Sequence, residues 1–219
     1  RQPLRDNLHL SERQARRRGH EVVTAIAPAP DRAHYYPAAR PILVKLVADA
    51  RDGRVLGGQV AGPGDADKRV DVLAATMHFG GTVADLADLD LSYAPPFSSA
   101  IDPVAVAANV VRNKRDGLAR ALSPMEVKEK LERGDDFLLL DVRTPGEYEA
   151  ERIDDPRVRL IPVGKLRQRL GELPRDKEIV AFCKASLRGY DAQRILAGAG
   201  FPDVKFMDGG LAAWPYSVS

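Results

Sequence analysis

From Ser123 onward the chain alternates short, unbroken apolar runs with stretches of helical rhythm, and this alternation constrains the fold more than any other feature. The expected order is a helix from Pro124 to about Arg133, a strand at Phe137 to Val142, a short strand at Leu160 to Val163 and a helix around Lys165 to Leu170. A strand at Ile179 to Phe182, a helix at Tyr190 to Ala199 and a strand at Val204 to Met207 complete it. Continuous apolar strands separated by helices predict a parallel sheet covered on both faces, an α/β architecture. In such sheets reactive groups sit beyond the carboxyl ends of strands. Cys183 is the first residue after one of those strands.

The preceding half has another rhythm. Ser11 to Gly19 reads as a short polar helix with a glycine stop, its Arg16-Arg17-Arg18 run a solvated face. β-prone runs follow at Val22 to Ala27, Ile42 to Val47 and Val55 to Val60, the last two flanking an Asp52-Gly53 turn, so antiparallel pairing is expected. Helices are predicted from Asp67 to Phe79, with Val70, Leu73, Ala74 and Met77 on one face, and from Thr82 to Leu86 behind a Thr82/Asp85 capping box. Beyond the Pro-broken loop Tyr93 to Ser99, Asp102-Pro103 opens a helix to about Arg115. Hairpins followed by helices predict an α+β layer. The two halves are expected to join near residues 115 to 124, where Ser123-Pro124-Met125-Glu126 combines an N-cap, proline at the first helical position and a returning glutamate. The domains are accordingly set at 1–117 and 118–219.

Composition narrows the function. The 33 Lys+Arg against 31 Asp+Glu leave a net charge of +2, which lends no support to nucleic-acid binding. No run approaches the roughly 18 to 20 apolar residues of a membrane span, and the Arg-rich start lacks the apolar core of a signal peptide, so a soluble, cytoplasmic protein without a membrane partner is expected. One cysteine permits no internal disulfide, and His9, His20, His34 and His78 are too scattered for a metal site, so no metal is expected. The Gly-rich patches Gly57 to Gly62 and Gly198 to Gly200 do not form G-x-G-x-x-G, so no cofactor is expected in this chain. The chain opens at Arg1 rather than Met, and residues preceding it are expected.

The reactive candidate is the run from Ile179 to Tyr190: a buried strand, a loop headed by a thiol and closed by a cation, then a helix. A helix N-terminus offers unsatisfied N–H groups and a positive dipole end, which favour a thiolate, and Lys184 and Arg188 add positive charge. Small Ala185 and Ser186 let the loop curl around the sulfur. The same donors suit an outer sulfur carried on Cys183 as a persulfide. Cys183 and Arg188 are thus the catalytic candidates; Lys184, Ala185, Ser186, Leu187 and Gly189 are the substrate-binding candidates.

Three segments then carry a resemblance: Leu140-Asp141-Val142-Arg143-Thr144-Pro145-Gly146-Glu147-Tyr148-Glu149, the cysteine loop, and Met207-Asp208-Gly209-Gly210-Leu211-Ala212-Ala213-Trp214. From Ser123 to about Tyr216 the chain resembles a rhodanese domain. The resemblance implies a five-stranded parallel sheet and transfer of sulfane sulfur through Cys183 from a donor to a thiol such as CoA. Asp141 and Arg143 are expected to brace the facing loops, with Arg143 paired to Glu147; Gly209-Gly210 is expected to form a tight turn and Trp214 to pack against the sheet. Glu151-Arg152-Ile153 departs from the Gly-His-Ile of many rhodaneses. Related phosphatases carry Cys-x5-Arg, whereas four residues separate Cys183 from Arg188 here, and the shorter loop fits sulfur better.

Ala33-His34-Tyr35-Tyr36-Pro37, Asp67 to Ala74 and Leu91 to Ser99 make residues 8 to 115 similar to the C-terminal dimerisation domain of pyridine nucleotide-disulfide oxidoreductases, particularly CoA-disulfide reductases. The order of the two halves resembles the C-terminal part of a CoA-disulfide reductase–rhodanese fusion, which implies FAD and NAD(P)H in a full-length relative and a homodimer through residues 8–115. Tyr93 and one of Tyr35 or Tyr36 match tyrosines that reach a partner's disulfide site in that family; the same aromatics also suit a plain interface. Against this enzyme stands a non-catalytic dimer scaffold with a partner-binding rhodanese-like fold. A cysteine retained in a cationic loop separates the two.

Overall fold

The computed structural model describes residues 10–219, so His9 and the first residues of the expected pairing segment and of the first domain lie outside the described residues. The fold divides into two compact units, one ending at Asp116 and the other beginning at Gly117.

In the first unit β1 (Val22–Pro30), β2 (Pro41–Asp49) and β3 (Val55–Ala61) form an antiparallel sheet in the order β1-β2-β3. The β2–β3 turn relies on Gly53, which sits at φ +78° where a side chain would be strained, and Asp49 accepts from its amide. Period-two alternation along β2 places Ile42, Val44 and Leu46 on one face. They form a core with residues of α2 (Asp67–His78), α3 (Val83–Ala87) and α4 (Pro103–Arg115). The opposite face meets α1 (Glu12–Arg17) through Val47, Leu56, Leu10 and Ala15.

The expected apolar face of α2 is corrected in one respect. Val70 is exposed, and the helix buries Leu73 and the charged Arg69 instead. Arg69 is tolerated because Asp102 faces it at 2.9 Å and the carbonyls of Asp31 and Asp65 accept from its guanidinium.

The second unit contains a five-stranded parallel sheet ordered β4-β8-β7-β5-β6. Its strands are β4 (Ala121–Leu122), β5 (Phe137–Asp141), β6 (Val158–Leu160), β7 (Glu178–Phe182) and β8 (Val204–Met207). Successive residues of β5 and β7 serve opposite cores, which explains their unbroken apolar runs. Leu138, Leu140, Ile179 and Ala181 pack with Leu166 of α7 (Val163–Leu166) and Ala192 and Leu196 of α8 (Leu187–Gly198). Phe137, Leu139, Val180 and Phe182 pack with Val127 of α5 (Pro124–Arg133), Leu211 and Trp214. α6 (Pro145–Ala150) buries no side chain and is defined by its Thr144/Glu147 capping box.

Three expected boundaries move. β6 ends at Leu160 instead of running to Val163, because Pro162 has no N–H for a ladder and Val163 opens α7. The helix expected around Lys165 to Leu170 is the shorter α7, with a separate 3-10 turn at Leu170–Glu172. α8 begins at Leu187 instead of Tyr190, since the cysteine loop feeds directly into it. The two-residue β4 had no sequence signal and exists only through pairing with Phe206 and Met207. Among the described residues, no helix is long and apolar enough to cross a membrane, and no group of three or more His, Cys, Asp or Glu is placed to hold a metal ion.

Candidate active site at the Cys183 loop

β7 ends at Phe182 and delivers Cys183 to the carboxyl edge of the sheet. The loop that follows is clamped from behind by the segment after β8. Leu211 N–H donates to the Cys183 carbonyl at 2.9 Å, and Ala212 N–H to the Lys184 carbonyl at 2.8 Å. A trans peptide points its N–H opposite its C=O, so the Lys184 and Ala185 amides turn away from that clamp, toward the open side of the loop. The clamp requires Gly210: its φ is +57°, and a Cβ there would collide with the Cys183 carbonyl oxygen and the Lys184 carbonyl carbon.

Ser186 has φ +77° and ψ −49°, and Leu187 N–H donates across it to the Ala185 carbonyl at 3.1 Å, a γ-turn of the strained, positive-φ kind. Its hydroxyl does not cap α8. It accepts from Gly209 N–H at 2.5 Å, which leaves the α8 N-terminus facing the loop without a side-chain cap. Gly189 lets α8 settle on β7, a Cβ there lying 3.3 Å from the Ala181 carbonyl oxygen.

Cys183 is only 2% exposed and borders the apolar core of its sheet face, while Lys184, Ala185 and Leu187 are exposed at the rim. Arg188 grips Glu147 in a two-pronged ion pair, Nη1 to Oε2 at 2.8 Å and Nη2 to Oε1 at 2.7 Å, and lies near enough to Cys183 for the two to interact electrostatically. Glu147, and after it the sulfur, hold the guanidinium more firmly protonated than usual. Reciprocally, Arg188 and then the Thr144 amide and hydroxyl hold the Glu147 carboxyl well below the ordinary carboxylate range, against the opposing effect of burial.

The expected Arg143–Glu147 pair is corrected. Arg143 pairs with the fully buried Asp141, Nη2 to Oδ2 at 2.7 Å, and donates to the main-chain carbonyls of Glu147 and Glu151. The geometry favours Asp141 because it sits two residues away on the same strand end and also accepts the Arg143 amide. Arg143 therefore ties the strand end to α6, and the Glu147 carboxylate is left for Arg188. Sequence reasoning missed this second task of Glu147: Thr144-x-x-Glu147 announces a helix cap and carries no sign of a partner 41 residues on. Trp214 packs on the sheet as expected.

In the first unit the structure distinguishes the tyrosines. Tyr35 lies beside Tyr93 and pushes the Tyr93 phenol above its usual value, and both rings are exposed. Tyr36 is half-buried and its amide donates to the Ala33 carbonyl. The loop bearing Tyr93 is held by Arg32 donating to the Pro96 carbonyl and Lys68 to the Ser98 hydroxyl. Gly57 and Gly58 lie inside β3, and Gly198 to Gly200 end α8, so neither patch is a strand-to-helix phosphate turn fitting a dinucleotide.

Comparison with known families agrees with both halves. Residues 10–105 match the pyridine nucleotide-disulphide oxidoreductase dimerisation domain, and residues 123–215 match the rhodanese-like domain. The chain joins these two families in that order. A solved NAD-dependent persulfide reductase from A. fulgidus is 46% identical with a TM-score of 0.85, the match covering 94% of this chain and 36% of that one. The reduced CoADR-RHD of Bacillus anthracis is 38% identical with a TM-score of 0.86 and the same coverages. Among curated relatives, the NAD(P)H coenzyme A polysulfide/persulfide reductase of Pyrococcus horikoshii is 43% identical over 103 residues, 47% of this chain and 23% of that protein. The dimerisation–rhodanese chain thus spans about a third of those solved structures and about a quarter of that curated relative.

Proposed function

We propose that the rhodanese-like half is a sulfurtransferase carrying sulfane sulfur on Cys183, and that the first half is the pairing module of a flavin-dependent CoA-disulfide or persulfide reductase. The observation that carries this reading is the clamped loop. The Cys183 and Lys184 carbonyls are tied back to Leu211 and Ala212, and α8 starts without a side-chain cap; in this reading the following amides and that helix start are the donors that serve the sulfur. Such donors stabilise an anionic sulfur both as attacking thiolate and as bound persulfide.

In the first step the Cys183 thiolate attacks the outer sulfur of a donor. A bond forms between the two sulfurs, and the donor's own bond to that sulfur breaks, its electron pair leaving with the donor. An acceptor thiolate such as that of CoA then attacks the outer sulfur, and Cys183 departs as thiolate. Arg188 steadies the charge on Cys183, and Lys184, Ala185, Ser186, Leu187 and Gly189 shape the opening. The relatives named for persulfide and coenzyme A chemistry support this substrate class. FAD and NAD(P)H belong to the full-length relatives in this reading, and no step here passes through them.

The domain boundary falls at about residue 117, two chains pair through residues 8–115, and Tyr93 with Tyr35 or Tyr36 faces the partner's disulfide site. A cytoplasmic setting, where small thiols stay reduced, is part of the same proposal.

The test is intact mass after exposure to a sulfane donor. Cys183 gains one sulfur, cyanide removes it, and Cys183→Ser gains none. An equal gain by Cys183→Ser refutes the assignment, and no gain in the native chain leaves the partner-binding scaffold.

A further inference from the structure

The cysteine loop carries two cations in different states. Lys184 is exposed and makes no ion pair among the described residues. Arg188 has both prongs of its guanidinium engaged by Glu147, at 2.7 and 2.8 Å. The planar guanidinium fork is the side chain best shaped to hold the paired oxygens of a sulfonate or phosphate group. Cys183 and Arg188 would thus make an oxyanion cradle, except that a carboxylate of this chain already fills the fork.

That carboxylate is not free to swing out. Glu147 Oε2 also accepts from the Thr144 amide at 3.0 Å and the Thr144 hydroxyl at 2.9 Å, as the return arm of the α6 capping box. Thr144 is thereby an anchor that holds Glu147 against Arg188. The Glu147 carboxyl is kept well below the usual range, so it stays ionised at neutral and mildly acidic pH. With Cys183 as thiolate, the charges of Cys183, Lys184, Arg188 and Glu147 cancel, and the site offers a dianion no net attraction.

We infer that Glu147 is the specificity-determining residue of this site: by occupying the Arg188 fork it turns away sulfo-oxyanion donors such as thiosulfate and reserves Cys183 for hydropersulfides of low charge. The inference rests on the sulfur-carrier reading above. With a hydropersulfide R–S–S–H, the Cys183 thiolate attacks the outer sulfur, a Cys183 S–S bond forms, the internal S–S bond of the donor breaks, and R–S⁻ leaves with the electron pair while the proton stays on the transferred sulfur. With thiosulfate the same attack expels sulfite, a dianion whose charge the engaged fork does not receive. A thiol only 2% exposed is reached by the slim terminal sulfur of either donor, so charge at the rim, and not size, separates them.

Glu147→Gln tests this cleanly, since glutamine serves in a capping box as glutamate does and the helix start is kept while the charge is removed. The full chain is loaded from thiosulfate or from the hydropersulfide of a small thiol, and initial rates of single-sulfur gain are read by intact mass. The native chain loads faster from the hydropersulfide, and Glu147→Gln raises the thiosulfate-to-hydropersulfide rate ratio about tenfold, the effect of one unit charge close to a partly screened site. Loss of folded protein lowers both rates and leaves the ratio unmoved, so the ratio isolates specificity. An unchanged ratio in folded Glu147→Gln, or a native chain that loads faster from thiosulfate, overturns the inference while leaving the sulfur carrier standing. A native chain that loads from neither donor overturns both. A second measurement needs no variant: sulfate should fail to slow alkylation of Cys183 in the native chain, and protection by sulfate there overturns the inference.

Discussion

Ser186 offers a test of the loop in which two substitutions remove the same hydrogen bond and differ mainly in backbone strain. Its side chain accepts from the buried Gly209 amide at 2.5 Å, and its φ of +77° lies where L-residues are strained. Ser186→Ala orphans the Gly209 N–H, at a cost of about 1–3 kcal/mol, and keeps the strain. Ser186→Gly orphans the same group but releases roughly 1–3 kcal/mol of strain, offset by about 0.5–1 kcal/mol of extra unfolded-chain entropy. With central values the alanine variant loses about 2 kcal/mol and the glycine variant less than about 1, leaving the glycine variant about 1 kcal/mol the more stable. The assay is urea unfolding followed by the fluorescence of Trp214, the single tryptophan, which packs in the core of the second unit and reports that unit. Unchanged denaturant slopes are required for the comparison. Sulfur loading should slow in both variants, because neither ties the loop to Gly209. An alanine variant as stable as the native chain, or a glycine variant less stable than the alanine one, refutes the strain argument.

Asp141→Asn breaks a buried ion pair and leaves the Arg143 cation without its counter-charge, an expected loss of about 3–5 kcal/mol in the second unit and a fall of more than about 10 °C in its thermal midpoint; a shift of a degree or two would contradict the bracing role. Glu147 has a folded-state pKa below the 4.5 of a free glutamate, so its stabilising contribution is full above that value and is lost as pH falls through the lower, folded value. The stability gap between the native chain and Glu147→Gln should therefore hold steady from about pH 8 to about 5 and close below about 4, and a gap that closes above pH 6 would be inconsistent with it. In the first unit Tyr35, Phe79, Phe97 and Ile101 are each more than 60% exposed, while Ile42, Val44, Leu46 and Leu73 are spent on its own core. Light scattering should find a dimer for the whole chain and a monomer for residues 123 to 216 alone; a monomeric whole chain removes the pairing role of the first half.

Both architectures were legible because each rests on local periodicity. The alternation of Ile42, Val44 and Leu46 along one face, and the unbroken runs of β5 and β7, reflect burial on one side of a sheet or on two. Caps behaved likewise: Thr82 and Ser123 each start the helix that their side chains announce, because a capping box closes within four residues. Cys183 after a strand and before a helix was legible for the same reason.

What the sequence could not decide are pairings between residues far apart along the chain. The choice of Asp141 over Glu147 as partner for Arg143, the closing of Glu147 on Arg188, and the burial of Arg69 against Asp102 depend on which loops the sheet order brings together. β4 lacks enough residues to show a pattern and is a strand only because β8 lies beside it. The positive φ of Ser186 is the strongest such case. A non-glycine residue gives no local sign that it will occupy that region, and only the tether from Gly209, with the carbonyls of Cys183 and Lys184 held by Leu211 and Ala212, forces it there. Local propensity chose the elements; the strain and charge that shape the site arise where distant segments meet and outweigh it.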